Sequence, residues 1–205
     1  MSNTVLPLSR FRVLDLTRVL AGPFASMILA DLGAEVLKVE LPGTGDEARG
    51  FGPFLKEESA YFMSVNRGKK SLTIDLRKAE GQDLARRLAA SCDILLENFR
   101  PGSMARFGLD FETLHQLCPK LVYASISGFG QTGPYAQRPA YDVIIQAMSG
   151  LASITGIDGQ PPVRVGSSIA DLGAALYGVI GILAALGRAR ESGVGQHLDV
   201  SMLDC

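Results

Sequence analysis

The sequence holds no tryptophan, two histidines and three cysteines in 205 residues, and each scarcity closes off a class of chemistry. His115 and His197 are far apart and have no paired cysteines nearby, so the four ligands of a zinc site are missing and no metal is expected. Cys92, Cys118 and Cys205 are odd in number and widely spaced, which fits a reducing compartment better than a disulfide framework. Charge of neither sign dominates. Twenty Lys and Arg against 21 Asp and Glu leave a net charge of −1. General attraction to nucleic acid or to an anionic membrane is therefore not expected, and a polyanionic ligand would have to be held by a few placed cations. Residues 1–10 lack the basic start, apolar run and cleavage site of a secretory signal and the Arg-rich texture of a transit peptide, so a cytoplasmic location is expected. The longest apolar stretch, Leu172–Leu186, is interrupted by Gly173, Gly178 and Gly181. It is shorter than the roughly 20 residues that span a bilayer and reads as a buried helix.

What is present is enough apolar residue, 47%, for one sizeable hydrophobic core. A β-rich run FRVLDL (Phe11–Leu16), a helical stretch PFASMILADLG (Pro23–Gly33) and a second run EVLKVE (Glu35–Glu40) form a βαβ unit. Pro23 suits a first helical turn, and Gly33 suits the position just past a helix end. After a Gly-rich loop from Pro42 to Pro53, SLTIDL (Ser71–Leu76), DILLEN (Asp93–Asn98) and LVYASIS (Leu121–Ser127) read as strands. Between them lie a helix over Ala79–Ser91 and one or two short helices ending at Pro119. A Gly/Pro loop from Gly128 leads to a helix over Tyr141–Ser149, a short strand PVRVG, a long helix from about Asp171 to Arg190 and a last strand HLDVS (His197–Ser201). Near-continuous apolar strands alternating with helices predict an α/β fold, a mostly parallel Rossmann-like sheet covered by helices on both faces. The single unit spans 1–205, and its ending on an apolar strand suggests a fragment.

Two stretches invite a nucleotide reading. Gly128, Gly130 and Gly133 form G-x-G-x-x-G after a strand, but Pro134 and Pro139 prevent the helix whose N-terminus would face a pyrophosphate. The first β–α turn, TRVLAGP, holds one glycine, Gly22, where a dinucleotide fingerprint needs three. Glu40 then reads as a solvated strand end. Asp171, in VGSSIADLGAALYG between a small polar loop and a long apolar helix, has the position of an N-cap, where the helix dipole favours its ionised form. An ionised carboxylate among small residues at the carboxyl edge of a parallel sheet is equally what a carboxylate nucleophile requires. The residues alone leave both readings open.

The ordered set VLDLTRVLAGPFASMILADLGAEVLKVE, SVNRGKKSLTIDL, DILLENFRPGSMARFGLD, SISGFGQTGP, YDVIIQAMSGLASITG, DLGAALYGVIGILAAL and GVGQHLDVSMLD resembles the family III CoA-transferases. These include formyl-CoA transferase and the carnitine-metabolism and bile-acid-inducible enzymes. The resemblance runs from about Phe11 to the last residue. It implies that Asp171 is the nucleophile, attacking an acyl-CoA thioester to give an aspartyl mixed anhydride and then an aspartyl-CoA thioester. CoA and acyl-CoA would be substrates, with no permanently bound cofactor. By position, the family's CoA contacts fall on Val19, Leu20 and Ala21, on Ile74 and Arg77, and on Asn98, Phe99, Arg100 and Arg106, with Tyr141 near the substrate. Taken singly, Arg77 and Arg106 also read as solvated surface charges and Ile74 as plain core.

Two positions depart from the pattern. Leu41 stands where some relatives have a basic residue, and Pro139 where formyl-CoA transferase has a lysine, so phosphate binding is expected to be rearranged. Family members that racemise 2-methylacyl-CoA begin a helix with Gly-His-Asp. Here Ala140-Tyr141-Asp142 lacks the imidazole, which leaves the racemase as the alternative reading beside an inactive CoA-binding fragment. The resemblance further implies a homodimer, interlocked in full-length relatives, and a small domain and C-terminal return absent from these 205 residues. His115 and His197 are expected to be structural.

Overall fold

The computed structural model describes residues 5–205. The chain opens as expected with β1 (Arg12–Asp15), α1 (Ala21–Asp31) and β2 (Glu35–Glu40). Pro23 lies in the first turn of α1, and Gly33, at φ 104°, turns the chain out of its end. The next stretch, up to Gly68, contains structure that the sequence reading did not identify. A 3-10 turn (Glu47–Gly50), a hairpin of β3 (Phe54–Leu55) and β4 (Glu58–Ser59), and α2 (Ala60–Asn66) precede β5 (Lys70–Thr73). Ser59 caps α2 by accepting the Phe62 N–H at 3.0 Å.

There follow α3 (Ala79–Ala89), β6 (Ile94–Glu97), α4 (Ser103–Arg106), α5 (Phe111–Leu117), β7 (Val122–Ser127), α6 (Asp142–Met148), a 3-10 turn (Leu151–Ile154), α7 (Ile169–Ser192) and β8 (His197–Ser201). The expected strand PVRVG does not form; this stretch has no strand partner, and the Val165 N–H goes instead to the Gln146 side chain at 2.7 Å.

Six strands make one parallel sheet in the order β5-β2-β1-β6-β7-β8. The alternation of side chains divides its apolar residues into two cores. Val13, Val36, Ile94, Leu96, Val122 and Ala124 face α1 and α7. Leu14, Val39, Leu95 and Tyr123 face the layer of α3, α4 and α5. The inner strands β1, β6 and β7 are buried on both faces, as a parallel sheet requires, while the edge strand β5 is largely exposed. Numbered by sequence, the sheet runs 3-2-1-4-5-6, so the direction of winding reverses between β1 and β6. The carboxyl ends of these two strands diverge into a crevice where such sheets bind ligands.

Helix α7 differs from its expected form in two ways. It starts at Ile169, so Asp171 is inside the first turn and is not the N-cap; that position belongs to Ser168, whose side chain makes no cap bond. It also is not fully buried. Ala174, Ala175, Val179, Ile182, Ala185 and Leu186 pack on the sheet, whereas Leu176, Tyr177, Ile180 and Leu183 stay exposed. At 24 residues it is long and apolar enough to cross a membrane by length and composition, but one face lies on the sheet.

Gly22 is the glycine of the first β–α turn, and the structure explains it. A Cβ built there would lie 2.3 Å from the Cβ of Thr17. The first turn of α1 can approach β1 this closely only without a side chain. Gly22→Ala is expected to cost about 1–3 kcal/mol through overpacking, read as a lower urea midpoint with an unchanged m-value.

Candidate active site

The turn from β1 to α1 is held from below by buried charge. Lys38, on β2 and 1% exposed, donates to the Thr17 carbonyl at 2.9 Å and pairs with Asp46 at 2.8 Å. Asp46 in turn accepts the N–H of Val19 at 3.1 Å and of Ala48 at 2.9 Å. Val19 is thereby kept at φ 68°, a left-handed conformation that a β-branched residue rarely adopts. Beside this pair, Asp15 is fully buried, and its carboxylate receives the Ser26 and Thr17 hydroxyls and Lys69 at 3.1 Å. Burial pushes the Asp15 carboxyl up, but Lys69 and Lys38 together with the Ser26 and Thr17 hydroxyls outweigh it and bring the pKa down to about 2.

Glu40 corrects the sequence expectation of a solvated strand end. It is 4% exposed, binds Arg49 through both oxygens at 2.7 Å, and accepts from Ser71 at 2.6 Å and from the Asp46 N–H at 2.9 Å. Burial opposes its charge, yet these partners hold its pKa at about 2.

The facing turn after β6 locks onto the first. Asn98 accepts the Arg18 N–H at 2.9 Å and donates to the Arg18 carbonyl at 2.8 Å, so its amide acts as a strand-like bridge. Arg18 also lies over the Phe99 ring at 4.9 Å and pairs with Glu47 at 2.9 Å. Two clefts open on either side of this seam. The larger, about 610 Å³, is walled by Val19, Leu20, Ala21, Asn98, Phe99 and Arg100 and also reaches Tyr141 and Asp171. The smaller, about 260 Å³, lies over Ile74 and Arg77 and shares Arg18, Glu47 and Phe99 with the first.

The predicted positions therefore converge, with exceptions. Arg106 lines neither cleft; it is exposed and bonds to Ser103 at 3.0 Å. Ile74 is core as well as cleft floor, at 5% exposure, and Arg77 is engaged with Asp75 through two side-chain bonds. The Gly128–Gly133 loop is irregular, as expected, with Gly130 and Gly133 at positive φ and no helix opening at Gly133.

Asp171 stands three residues into α7, where the cap is supplied from elsewhere. Asp142, buried at the start of α6, accepts the Ala170 N–H at 2.8 Å and the Gln146 side-chain amide at 2.6 Å. Asp171 is thus left free of capping, facing the cleft. The expectation that the helix dipole would favour its charge is reversed in direction. Burial, reinforced by the negative charge of Asp142, raises its pKa to about 6, while the backbone N–H of Ala21 at the start of α1 acts in the opposite sense.

Tyr61 on α2 and the arginines Arg138 and Arg164 also line the cleft, none of them singled out by the sequence. Tyr61 lay in a stretch with no recognisable pattern. The two arginines sit in loops, but Arg138 adjoins Pro139, where a cation was sought. Burial, with Asp171 and Asp46 nearby, raises the Tyr61 pKa to about 12, so its phenol remains a donor. Among the described residues no cluster of three metal-ligating side chains occurs.

Comparison with known proteins bears on this arrangement. The model for CoA-transferase family III matches residues 8–205. A succinate–glutarate CoA-transferase of Agrobacterium fabrum is 48% identical over 211 residues, covering 100% of this chain and 53% of the relative. The human succinyl-CoA:glutarate CoA-transferase is 46% identical, covering 98% of this chain and 46% of its own. A crystal structure of a CaiB/BaiF family protein from Brucella suis superposes with a TM-score of 0.93 at 45% identity, over 97% of this chain and 54% of that one. The chain spans about half the length of the curated relatives it matches.

Asp46→Ala strands Lys38 as a buried, unpaired cation and is expected to destabilise by about 3–5 kcal/mol. Adding Lys38→Met removes that cation, so the double variant should recover a large part of the loss in urea denaturation; simple additivity would show that the two side chains are not coupled.

Proposed function

The chain belongs to CoA-transferase family III, and from that premise we propose that it is the coenzyme-binding, nucleophile-bearing part of an enzyme moving CoA from an acyl-CoA donor to a carboxylic acid. The observation that carries the proposal is an uncapped, half-buried carboxylate, Asp171, in the cleft at the reversal point of the sheet. A carboxyl group with a pKa near 6 is largely ionised at neutral pH and more basic than an ordinary aspartate, hence a better nucleophile.

In this mechanism an Asp171 oxygen attacks the thioester carbonyl carbon of the donor. The C–S bond breaks, CoA leaves as thiolate, and a mixed anhydride joins Asp171 to the donor acyl group. The thiolate then attacks the Asp171 carbonyl carbon, releasing the donor acid as carboxylate and leaving an aspartyl-CoA thioester. The acceptor carboxylate attacks that thioester and expels the thiolate, which finally attacks the acceptor carbonyl and frees Asp171. No acyl activation is lost to water provided the cleft excludes it. The Ala21 N–H at the positive end of α1 favours negative charge beside Asp171 and is suited to the oxyanions of these steps.

The acids are assigned as dicarboxylates. Relatives are named for succinate and glutarate, and Arg100, Arg138 and Arg164 line the cleft without an ion-pair partner among the described residues. Such cations suit both a distal carboxylate and the coenzyme phosphates. Racemase chemistry finds less support: Tyr141, 72% exposed, stands where that reaction needs an imidazole, and Asp142 is committed to capping α7.

Incubating the natural full-length protein with succinyl-CoA and hydroxylamine should give an aspartyl hydroxamate at Asp171 by mass spectrometry; a panel of acyl-CoA donors yielding none removes the mechanism. Asp171→Asn should lower turnover by at least about 10³-fold, and the wild-type rate should fall as pH drops through about 6, where Asp171 takes up a proton. In CoA exchange from succinyl-CoA, glutarate should exceed butyrate in kcat/KM by roughly tenfold or more, the effect of one charge-assisted contact; equal values would refute the dicarboxylate assignment.

A further inference from the structure

Glu97, the last residue of β6, is a buried carboxyl that the transfer chemistry does not use. It is 3% exposed and forms no ion pair among the described residues. Its Oε2 accepts the Phe99 N–H at 2.8 Å, closing the turn whose residues Asn98 and Phe99 wall the cleft. On its other side it meets the hydroxyl of Ser125, its register partner on β7. That hydroxyl lies 2.9 Å from His197 Nε2 on β8. The imidazole is fixed by stacking on Phe111 at 5.3 Å and by the edge of Tyr123 at 5.1 Å.

Among the described residues, the surroundings of this chain of three polar groups offer Glu97 no positive partner. From β8 come His197, which burial keeps toward its neutral form, and Asp199, whose charge opposes that of Glu97. From β7 comes Tyr123, whose phenol burial holds protonated. The α4–α5 layer on the same face carries Arg106, Asp110, Glu112 and His115, and across the seam stands Arg18; none of them pairs with Glu97. Burial and Asp199 together raise its pKa to about 7.

Both protonation states satisfy the chain. With Glu97 ionised, its oxygens accept from Phe99 and Ser125, and His197 presents its Nε2 proton to Ser125. With a proton entering from solvent at His197 Nδ1, the Nε2 proton passes to Ser125 and the Ser125 proton to Glu97, so that Glu97 keeps the Phe99 bond and donates to Ser125, whose hydroxyl now donates to the Nε2 lone pair of the Nδ1–H imidazole. The Phe99 turn is held in either state. What changes is one negative charge directly behind a wall of the cleft.

Resting on the CoA reading of that cleft, we propose that Glu97 is a positioning residue for the coenzyme site, and that the polyanionic coenzyme binds with uptake of a proton at Glu97. Linkage requires both directions: coenzyme binding favours the protonated form, and deprotonation weakens coenzyme binding. A group whose folded pKa is raised is stabilising in its protonated state, so the favourable state is lost as pH rises through about 7.

The test is CoA binding to the natural full-length protein by calorimetry between pH 6 and 8.5, in buffers of different ionisation enthalpy. Wild-type affinity should fall about three- to tenfold across pH 7, the scale of one partly screened charge, with net proton uptake near pH 7. Glu97→Gln retains an acceptor for Phe99 and a donor for Ser125, so it should bind at all pH values as the wild type does at pH 6, with the uptake abolished. Glu97→Leu, which strands the Phe99 N–H, should bind more weakly throughout. Asp171→Asn should keep the Glu97-dependent uptake, which separates the two titrating groups. Identical pH profiles for wild type and Glu97→Gln would overturn the proposal even if Glu97→Leu fails to fold. Absence of any CoA binding would sink both the proposal and the reading beneath it, whereas binding without hydroxamate formation would remove only the transfer mechanism.

Discussion

The buried pair of Lys38 and Asp46 is the interaction on which the site depends. In a dinucleotide-binding turn, glycines let the backbone adopt positive φ and come close to a phosphate at no steric cost. Here the same position after β1 carries Arg18, Val19 and Leu20, and the conformation is enforced from beneath. Lys38 holds the Thr17 carbonyl while Asp46 holds the Val19 N–H. Side-chain charge thus replaces backbone permissiveness, and the cleft retains apolar and cationic side chains that a glycine turn would give up. Two charges removed from water are stable only when well partnered: the Asp46 carboxylate also accepts the Val19 and Ala48 N–H groups, and its own N–H is held by Glu40, which Arg49 and Ser71 fix in turn.

A second division of labour leaves one carboxylate free in the cleft. An aspartate at the start of an apolar helix is ordinarily spent on the helix itself. Asp142, 28 positions earlier than the Ala170 amide it accepts, takes that duty for α7. Its charge then bears on Asp171, which is freed from capping and made harder to ionise. One carboxylate is fixed and silent so that the other can be basic and exposed to the cleft.

The sheet was legible because its strands are short apolar runs bounded by clear turn residues, and EVLKVE and HLDVS match the observed strands residue for residue. The region from Pro42 to Lys69 was not, since its order rests on contacts distant in sequence: Lys69 to Asp15, and Asp46 to Lys38. Glu40 failed for the same reason, its partners lying on β5 and in the 3-10 turn, where no periodicity reveals them. PVRVG has strand composition but no sheet edge to join, and a side chain from α6 answers its backbone. At the site, Asp171 and the walls from Val19 to Ala21 and Asn98 to Arg100 were readable through resemblance. Tyr61, Arg138 and Arg164 come from loops and a short helix, and only the folded chain brings them to the cleft.

The seam between Arg18 and Asn98 joins residues 80 positions apart. Closing so long a loop carries an entropic cost that no local contact offsets. During synthesis from the N-terminus, β1, α1, β2 and the Lys38–Asp46 pair can assemble first, but the opposing wall must wait for β6. Asp171 comes later still, since α7 packs on β7 and draws its cap from α6. The half-buried carboxylate is consequently placed after the walls formed by Val19–Ala21 and Asn98–Arg100. A nascent chain passes through a stage with a partly shaped cleft and no Asp171 carboxylate in it, and that group emerges only where the walls beside it already stand.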